Sequence, residues 1–312
     1  MKRCPITYEV IGEKASYSLR GLRLLSPQLK NLNPLDLSAD EQRQEATDRV
    51  GKMSIQGVQK KLSAQLKVKD GFFEIVDQKG HYILKPQSDI YPELPENEAI
   101  TMTLAKIIGL EVPTHGLAYS KDNSMTYFIK RFDRVGHNKK LAVEDFAQLS
   151  GGDRHTKYSS SMEKVIATVE KYCTFPKIEF VKLFKLTLFN FLIGNEDMHL
   201  KNFSLITRKN KVTFSPAYDL LNSTIAQKNT KEEIALPLRG RKNNLTRRDF
   251  FKYFAMEKLG LNQKVLDGII EEFQQAIPTW QEFISYSFLS STMQEKYLGL
   301  LEDRCRRVEL NE

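Results

Sequence analysis

Asp197, Asn202 and Asp219 are the residues of this chain whose types and order could do chemistry together. They lie in Gly194-Asn195-Glu196-Asp197-Met198-His199-Leu200-Lys201-Asn202 and in Pro216-Ala217-Tyr218-Asp219-Leu220. Asp197 and Asn202 are five residues apart, and Asp219 follows 17 further on. Phosphoryl transfer needs a carboxylate to orient the attacking hydroxyl, and an Asn and a second Asp to hold Mg²⁺ against the phosphates. It also needs a cation on those phosphates. Lys85 ends the strand-like run Tyr82-Ile83-Leu84-Lys85-Pro86, and Glu98 sits in the first turn of the helix expected next. A strand lysine paired with a helix glutamate can hold the α- and β-phosphates of ATP. A third piece, Ser54-Ile55-Gln56-Gly57-Val58-Gln59-Lys60-Lys61, has one glycine and is neither a Walker loop nor a GxGxxG. Its backbone and Lys61 could cover phosphates, and Ser54 could receive one.

These residues must be placed by a scaffold, and the pattern of the chain predicts one. Catalytic loops of protein kinases keep the same Asp–Asn separation, with the second metal carboxylate after a short hairpin. Here an apolar helix over 177–193 precedes the loop, with Phe180, Phe184, Leu188 and Phe191 on one stripe. Phe203–Ile206 and Val212–Phe214 read as a hairpin turning at Lys209-Asn210. Upstream, 63–69 and 72–76 read as strands around Asp70-Gly71, and 81–85 as another strand. Asn97 is the expected cap of a helix stopped by Gly109. Strands over 117–119 and 125–129 flank Asp122-Asn123. Helices are expected from Thr246 to Gly260, over 265–276 and over 294–308, and Trp280 is read as core. The expected fold is α+β and bilobal: an antiparallel-sheet lobe over 1–132 and a larger, mainly helical lobe over 133–312.

Composition narrows the function classes. Lys and Arg number 47 against 39 Asp and Glu, a net charge of +8 that suits anionic partners as well as a solvated basic surface. Three scattered cysteines, Cys4, Cys173 and Cys305, offer no zinc spacing and read as reduced thiols of a cytoplasmic protein. Glu9 arrives before any apolar core, so no signal peptide is visible, and no uncharged stretch reaches the ~18 apolar residues of a membrane helix. His199 belongs to no HExxH-type pattern and reads as a residue that orders its loop. Arg239–Arg248 holds five basic residues in ten, which fits a solvated loop, nucleic acid or an acidic substrate face.

Taken together, the ordered pieces resemble the HipA-type serine/threonine kinase toxins of bacterial toxin–antitoxin systems. The resemblance rests on Ser54–Lys61 with Leu62-Ser63, Tyr82–Pro86, Leu94-Pro95-Glu96-Asn97-Glu98, and Ile129-Lys130-Arg131-Phe132-Asp133-Arg134. It continues through Glu144-Asp145-Phe146-Ala147-Gln148, Gly194–Asn202, Pro216–Leu220 and Arg241-Lys242-Asn243-Asn244-Leu245-Thr246. It implies Asp197 as the catalytic aspartate, Asn202 and Asp219 as Mg²⁺ ligands, and Lys85 as the ATP-phosphate lysine. Lys130 and Phe132, with Arg131 between them, fall on the hinge that meets adenine. Gln56, Gly57, Val58, Gln59, Lys60 and Lys61 fall on the nucleotide-covering loop, and His199, Lys201 and Tyr218 flank the nucleotide. Ser54 matches the serine whose autophosphorylation holds that loop away from ATP.

With the loop serine at residue 54, the N-terminal subdomain of long family members is expected to be absent, as in the short HipT branch. Gln56 stands where short forms can carry a second loop serine. The implied substrate is an aminoacyl-tRNA synthetase, of glutamyl or tryptophanyl type, whose arrest would stop translation. The implied partners are a small antitoxin like the missing subdomain and a helix-turn-helix DNA-binding antitoxin, with DNA reached only through the latter. Its place of action would be the cytoplasm of its own cell or of another into which it is delivered. Two other readings stay open. One is a kinase of a small molecule or lipid headgroup, which would use the same Asp–Asn–Asp set. The other is a non-catalytic basic module that binds nucleic acid or a repressor through Arg239–Arg248.

Overall fold

The computed structural model of the protein describes residues 1–49, 59–136, 139–152, 156–227 and 232–310. The chain divides into two compact units. One comprises Met1–Ile100, Pro113–Asn138 and Ser287–Leu289; the other comprises Thr101–Val112, Lys139–Tyr286 and Ser290–Glu312.

Two short helices open the first unit. The Ser18 hydroxyl caps α1 (Leu19–Leu25), and Ser38 with Glu41 forms a full capping box on α2 (Ala39–Asp48). The strands β1 (Leu62–Lys67) and β2 (Phe72–Ile75) make the hairpin expected at Asp70-Gly71, in the register Ala64↔Ile75 to Lys67↔Phe72. Gly71 takes φ +69°, where a side chain would strain the turn. Then follow β3 (Tyr82–Lys85), α3 (Leu94–Ile107), β4 (His115–Tyr119), β5 (Met125–Lys130) and the two-residue β6 (Arg134–Val135). The sheet runs β2-β1-β3-β5-β4 and is antiparallel throughout. Alternation sends Leu62, Ala64, Tyr82 and Leu84 into one core with Leu22, Leu25, Leu29, Leu32 and Leu35 of the N-terminal segment.

The second unit holds β7 (Lys139–Lys140), β8 (Val143–Asp145), α4 (Phe146–Leu149), α5 (Met162–Tyr172) and α6 (Pro176–Leu192). Next come β9 (Ser204–Arg208), β10 (Lys211–Phe214), α7 (Ser223–Ala226), the wide helix π1 (Arg248–Lys258), α8 (Gln263–Ser285) and α9 (Ser291–Arg307). Lys209 and Asn210 both take positive φ, the turn that joins two twisted strands most directly. β9 pairs with β8 on its other side. The expected stripe of α6 is buried, and so is most of the helix surface around it, so α6 is a core element. Trp280 is fully buried, edge-on to Phe189 and Phe273, and its indole N–H donates to the Leu104 carbonyl at 3.1 Å.

Three helix expectations need correction. α3 begins at Leu94, and Asn97 is buried in its first turn, where its N–H donates to the Glu93 carbonyl at 2.9 Å. Pro95 is tolerated there because first-turn N–H groups have no helical partner. The helix expected from Thr246 does open there, with Asp249 accepting the Thr246 N–H at 3.0 Å and Phe250 N–H donating to the Thr246 carbonyl at 3.3 Å, but over Arg248–Lys258 it widens, closing with a bond from Leu259 N–H to the Phe254 carbonyl five residues back. α8 runs through Pro278 to Ser285, well beyond Ala276. No helix among the described residues is long and apolar enough to cross a membrane.

Candidate active site

α6 delivers the chain to the loop that carries Asp197. Gly194 turns it with φ +72°. A Cβ there would fall 2.4 Å from Leu300 Cδ2 and 2.8 Å from Asn222 Oδ1, and the Gly194 carbonyl accepts from Thr224 N–H at 3.1 Å. Two buried asparagines then fold the loop back. Asn195 Nδ2 donates to Asn190 Oδ1 at 2.8 Å, and Asn195 Oδ1 accepts the Asp197 N–H at 3.2 Å. The Asp197 carbonyl accepts from His199 N–H at 2.8 Å and from Asn202 Nδ2 at 2.9 Å. Asp197 and Asn202 are thus joined directly. Because the Asn202 amide nitrogen is engaged, its Oδ1 is the side-chain atom left to accept or to ligate. The Asp197 side chain is 43% exposed, and its Oδ1 accepts the Tyr158 hydroxyl.

His199 is buried beside it. Lys157 Nζ lies 2.8 Å from His199 Nε2, and a lysine ammonium can only donate, so Nε2 accepts and the ring proton sits on Nδ1. Burial first, and the Lys157 charge in addition, lower the His199 pKa and favour the neutral ring, while Asp197 pulls the other way. Among the described residues Nδ1 is buried without a hydrogen-bond partner, a donor of the kind a phosphate oxygen satisfies. Lys201 Nζ pairs with Asp145 at 3.1 Å. The Tyr218 hydroxyl donates to the Lys201 carbonyl at 2.8 Å and lies 2.5 Å from Ser204 Oγ, tying the 216–220 segment to the loop. Asp219, next in the chain, takes a left-handed φ of +53°.

In the first unit Lys85 Nζ donates to both carboxylate oxygens of Glu98, at 2.7 and 2.9 Å. Their side chains are 4% and 1% exposed, and the ammonium lies 5.6 Å from the Tyr127 ring centre. Lys130 is exposed at the end of β5, Arg131 forks onto Asp133 at 3.0 and 2.9 Å, and Phe132 is half-buried. Gln59, Lys60 and Lys61 lead into β1, with Lys60 Nζ donating to Thr47 Oγ1 at 2.9 Å. Ser54, Gln56, Gly57 and Val58 lie outside the described residues.

The first turn of α3 also buries Glu96, whose two oxygens accept Gln87 Nε2 at 2.7 and 2.9 Å. Burial pushes its carboxyl up to about 7, from an ordinary 4.5. The folded chain therefore holds this proton more tightly than the unfolded chain. Stability should fall as pH rises from about 4.5 to about 7 and level off above. Glu96→Gln, which mimics the protonated carboxyl, is expected to leave denaturant midpoints unchanged at pH 4 and to raise stability at pH 8 by on the order of 2 kcal/mol.

The HipA-like C-terminal domain matches residues 53–281, well over half of the chain. The chain belongs to the HipA-like family. A Haemophilus influenzae protein named as a candidate kinase is 32% identical to this HipA-like chain, over 88% of it and 87% of the relative. In fold, the chain matches HipA of the Shewanella oneidensis toxin–antitoxin system, solved with HipB and operator DNA. The TM-score is 0.69 at 22% identity, over 89% of this chain and 72% of that one. It also matches the Helicobacter pylori proinflammatory kinase CtkA, with a TM-score of 0.54 at 16% identity, over 73% and 88% of the two chains. The fold is α+β and protein-kinase-like.

The donor set of this HipA-like loop suits a hard cation. Mg²⁺ is held by one or two protein oxygens together with substrate phosphates, not by an all-protein cage. Asn202 Oδ1, whose amide nitrogen is taken by the Asp197 carbonyl, and the Asp219 carboxylate are oxygen donors of the kind such a sparse site would use. The basic run is largely satisfied within the chain. Arg241 pairs with Asp249 at 2.5 Å, Lys242 with Glu232 at 3.1 Å, and Arg247 donates to the Val308 carbonyl at 2.8 Å. Arg239 stacks 5.6 Å from the Tyr253 ring centre. Two features escaped the sequence reading. Asn190 and Asn195 could have been noticed as polar residues in an apolar run. Lys157 and Tyr158 gave no local signal, because their partners lie about forty residues on.

Proposed function

We propose that this HipA-like chain is an ATP-dependent protein kinase that phosphorylates serine or threonine and acts as the toxin of a toxin–antitoxin system. The observation that carries the reading is the direct join of Asp197 to Asn202, which keeps one carboxylate accessible while leaving an amide oxygen for a cation. Asp197 would take the acceptor hydroxyl's hydrogen bond and then its proton. Asn202 and Asp219 would hold Mg²⁺, which when bound neutralises phosphate charge. Lys85, steadied by Glu98, would bind the α- and β-phosphates. His199, Lys201 and Tyr218 would line the phosphate end, and Lys130, Arg131 and Phe132 the adenine end. Gln56 to Lys61 would cover the nucleotide, and Ser54 would be the autophosphorylation switch of that loop.

The domain division that goes with this reading is an ATP-binding lobe over 1–132 and a catalytic lobe over 133–312. The proposed acceptor is an aminoacyl-tRNA synthetase, and the site of action the cytoplasm. The S. oneidensis relative was solved with HipB and DNA, which supports a DNA-binding antitoxin as partner. Phosphosite mapping after brief expression tests the reading. A dominant new serine phosphosite on one synthetase is expected. Phosphate only on small molecules would move the reading to a metabolite kinase, and no ATP-dependent transfer would end it.

A further inference from the structure

The hydroxyl that meets Asp197 in this structure belongs to the chain itself. Tyr158 Oη donates to Asp197 Oδ1, the contact a kinase reserves for the hydroxyl about to be phosphorylated. Several independent contacts place this tyrosine. Its ring packs edge-on against His199, with centres 5.1 Å apart and planes at 81°. The neighbouring Lys157 donates its ammonium to His199 Nε2 at 2.8 Å and lies 4.8 Å from the Tyr158 ring centre. The Lys157 carbonyl accepts the N–H of Leu200 at 3.2 Å, so the backbone of this pair is fixed to the catalytic loop. A turn from Thr156 to Ser159 closes the segment, and the Ser161 hydroxyl then caps α5.

We propose that Tyr158 is a built-in occupant of the acceptor position, competing with the protein hydroxyl that Asp197 must receive. The inference rests on the kinase reading of this site and adds a residue that sets acceptor selectivity. An incoming serine must displace a phenol already hydrogen-bonded to the carboxylate, so weak acceptors are excluded and tight ones admitted. Tyr158 acts as a competitor and not as a substrate. Partial burial, the hydrogen bond to Asp197 and the Asp197 charge push its ionisation above the usual phenol range, so the hydroxyl stays protonated and keeps donating to the carboxylate. The ring contact with His199 means that Tyr158→Phe removes the hydroxyl while keeping the packing.

The test compares wild type and Tyr158→Phe in steady-state transfer from MgATP to dephosphorylated casein. The variant should raise kcat/KM for casein about fivefold, through a lower KM, which is the factor expected from losing one competing hydrogen bond. The KM for ATP should not follow. An unchanged or higher casein KM in the variant overturns the inference and leaves the kinase reading standing. So does tandem mass spectrometry that finds phosphate on Tyr158 of the wild type. Absence of phosphoryl transfer in both proteins, to casein and to the chain's own serines alike, overturns the kinase reading and the inference with it.

Discussion

Asp197→Asn is expected to lower phosphate transfer about 10²–10⁴-fold, the usual loss when a positioned base is removed. The loop should survive the change. Its shape rests on the Asp197 N–H and carbonyl, through Asn195, His199 and Asn202, and the side chain makes none of those bonds. The amide is nearly isosteric with the carboxylate and still accepts the Tyr158 hydroxyl, but it cannot take up a proton. MgATP should therefore still raise the melting temperature of the variant while labelled phosphate stays on the nucleotide. Transfer at the wild-type rate would remove Asp197 from the chemistry.

The second large effect concerns Lys85. Lys85→Met leaves the Glu98 carboxylate buried at 1% exposure with its ammonium partner gone. Breaking such a pair from one side costs about 3–5 kcal/mol, since the remaining charge has lost the partner that justified its burial. Lys85→Met with Glu98→Leu is expected to recover most of that stability in urea denaturation, because both charges leave together. The double variant should nevertheless transfer no phosphate. The comparison separates the observed duty of the pair, holding the sheet to the start of α3, from the proposed one of presenting a cation to ATP. A double variant as unstable as Lys85→Met would mean that packing, not charge, dominates the site.

How much of this was legible in the sequence depended on how local the cause was. Both hairpins were readable because Asp70-Gly71 and Lys209-Asn210 carry their turn chemistry within two residues. The apolar stripe of α6 was readable because burial repeats with the helical period. The start of α3 was misread because Asn97 resembles a cap, yet the burial of the whole first turn decides where the helix begins. Ser38 and Glu41 offered a capping box that would have revealed α2. The wide turn in π1 had no such cue. Within the candidate site, the Asp197–Asn202 spacing marked the loop and the order of the strands marked Lys85. The Lys157-Tyr158 segment could not be foreseen, since what places it is a set of contacts across the tertiary fold. The basic run from Arg239 to Arg248 was open from charge alone; its acidic and aromatic neighbours come from Glu232, Asp249 and Tyr253, and folding brings them together.

The turn at Gly194 bears on how genetic data for this chain should be interpreted. Any side chain there meets a leucine methyl, an asparagine oxygen and the left-handed backbone at once. A screen for loss of activity would then return Gly194 alongside Asp197, although Gly194 has no side chain with which to do chemistry. Inactive alleles at the two positions would look alike by phenotype and differ in protein abundance, so soluble yield belongs beside every activity score taken from this loop.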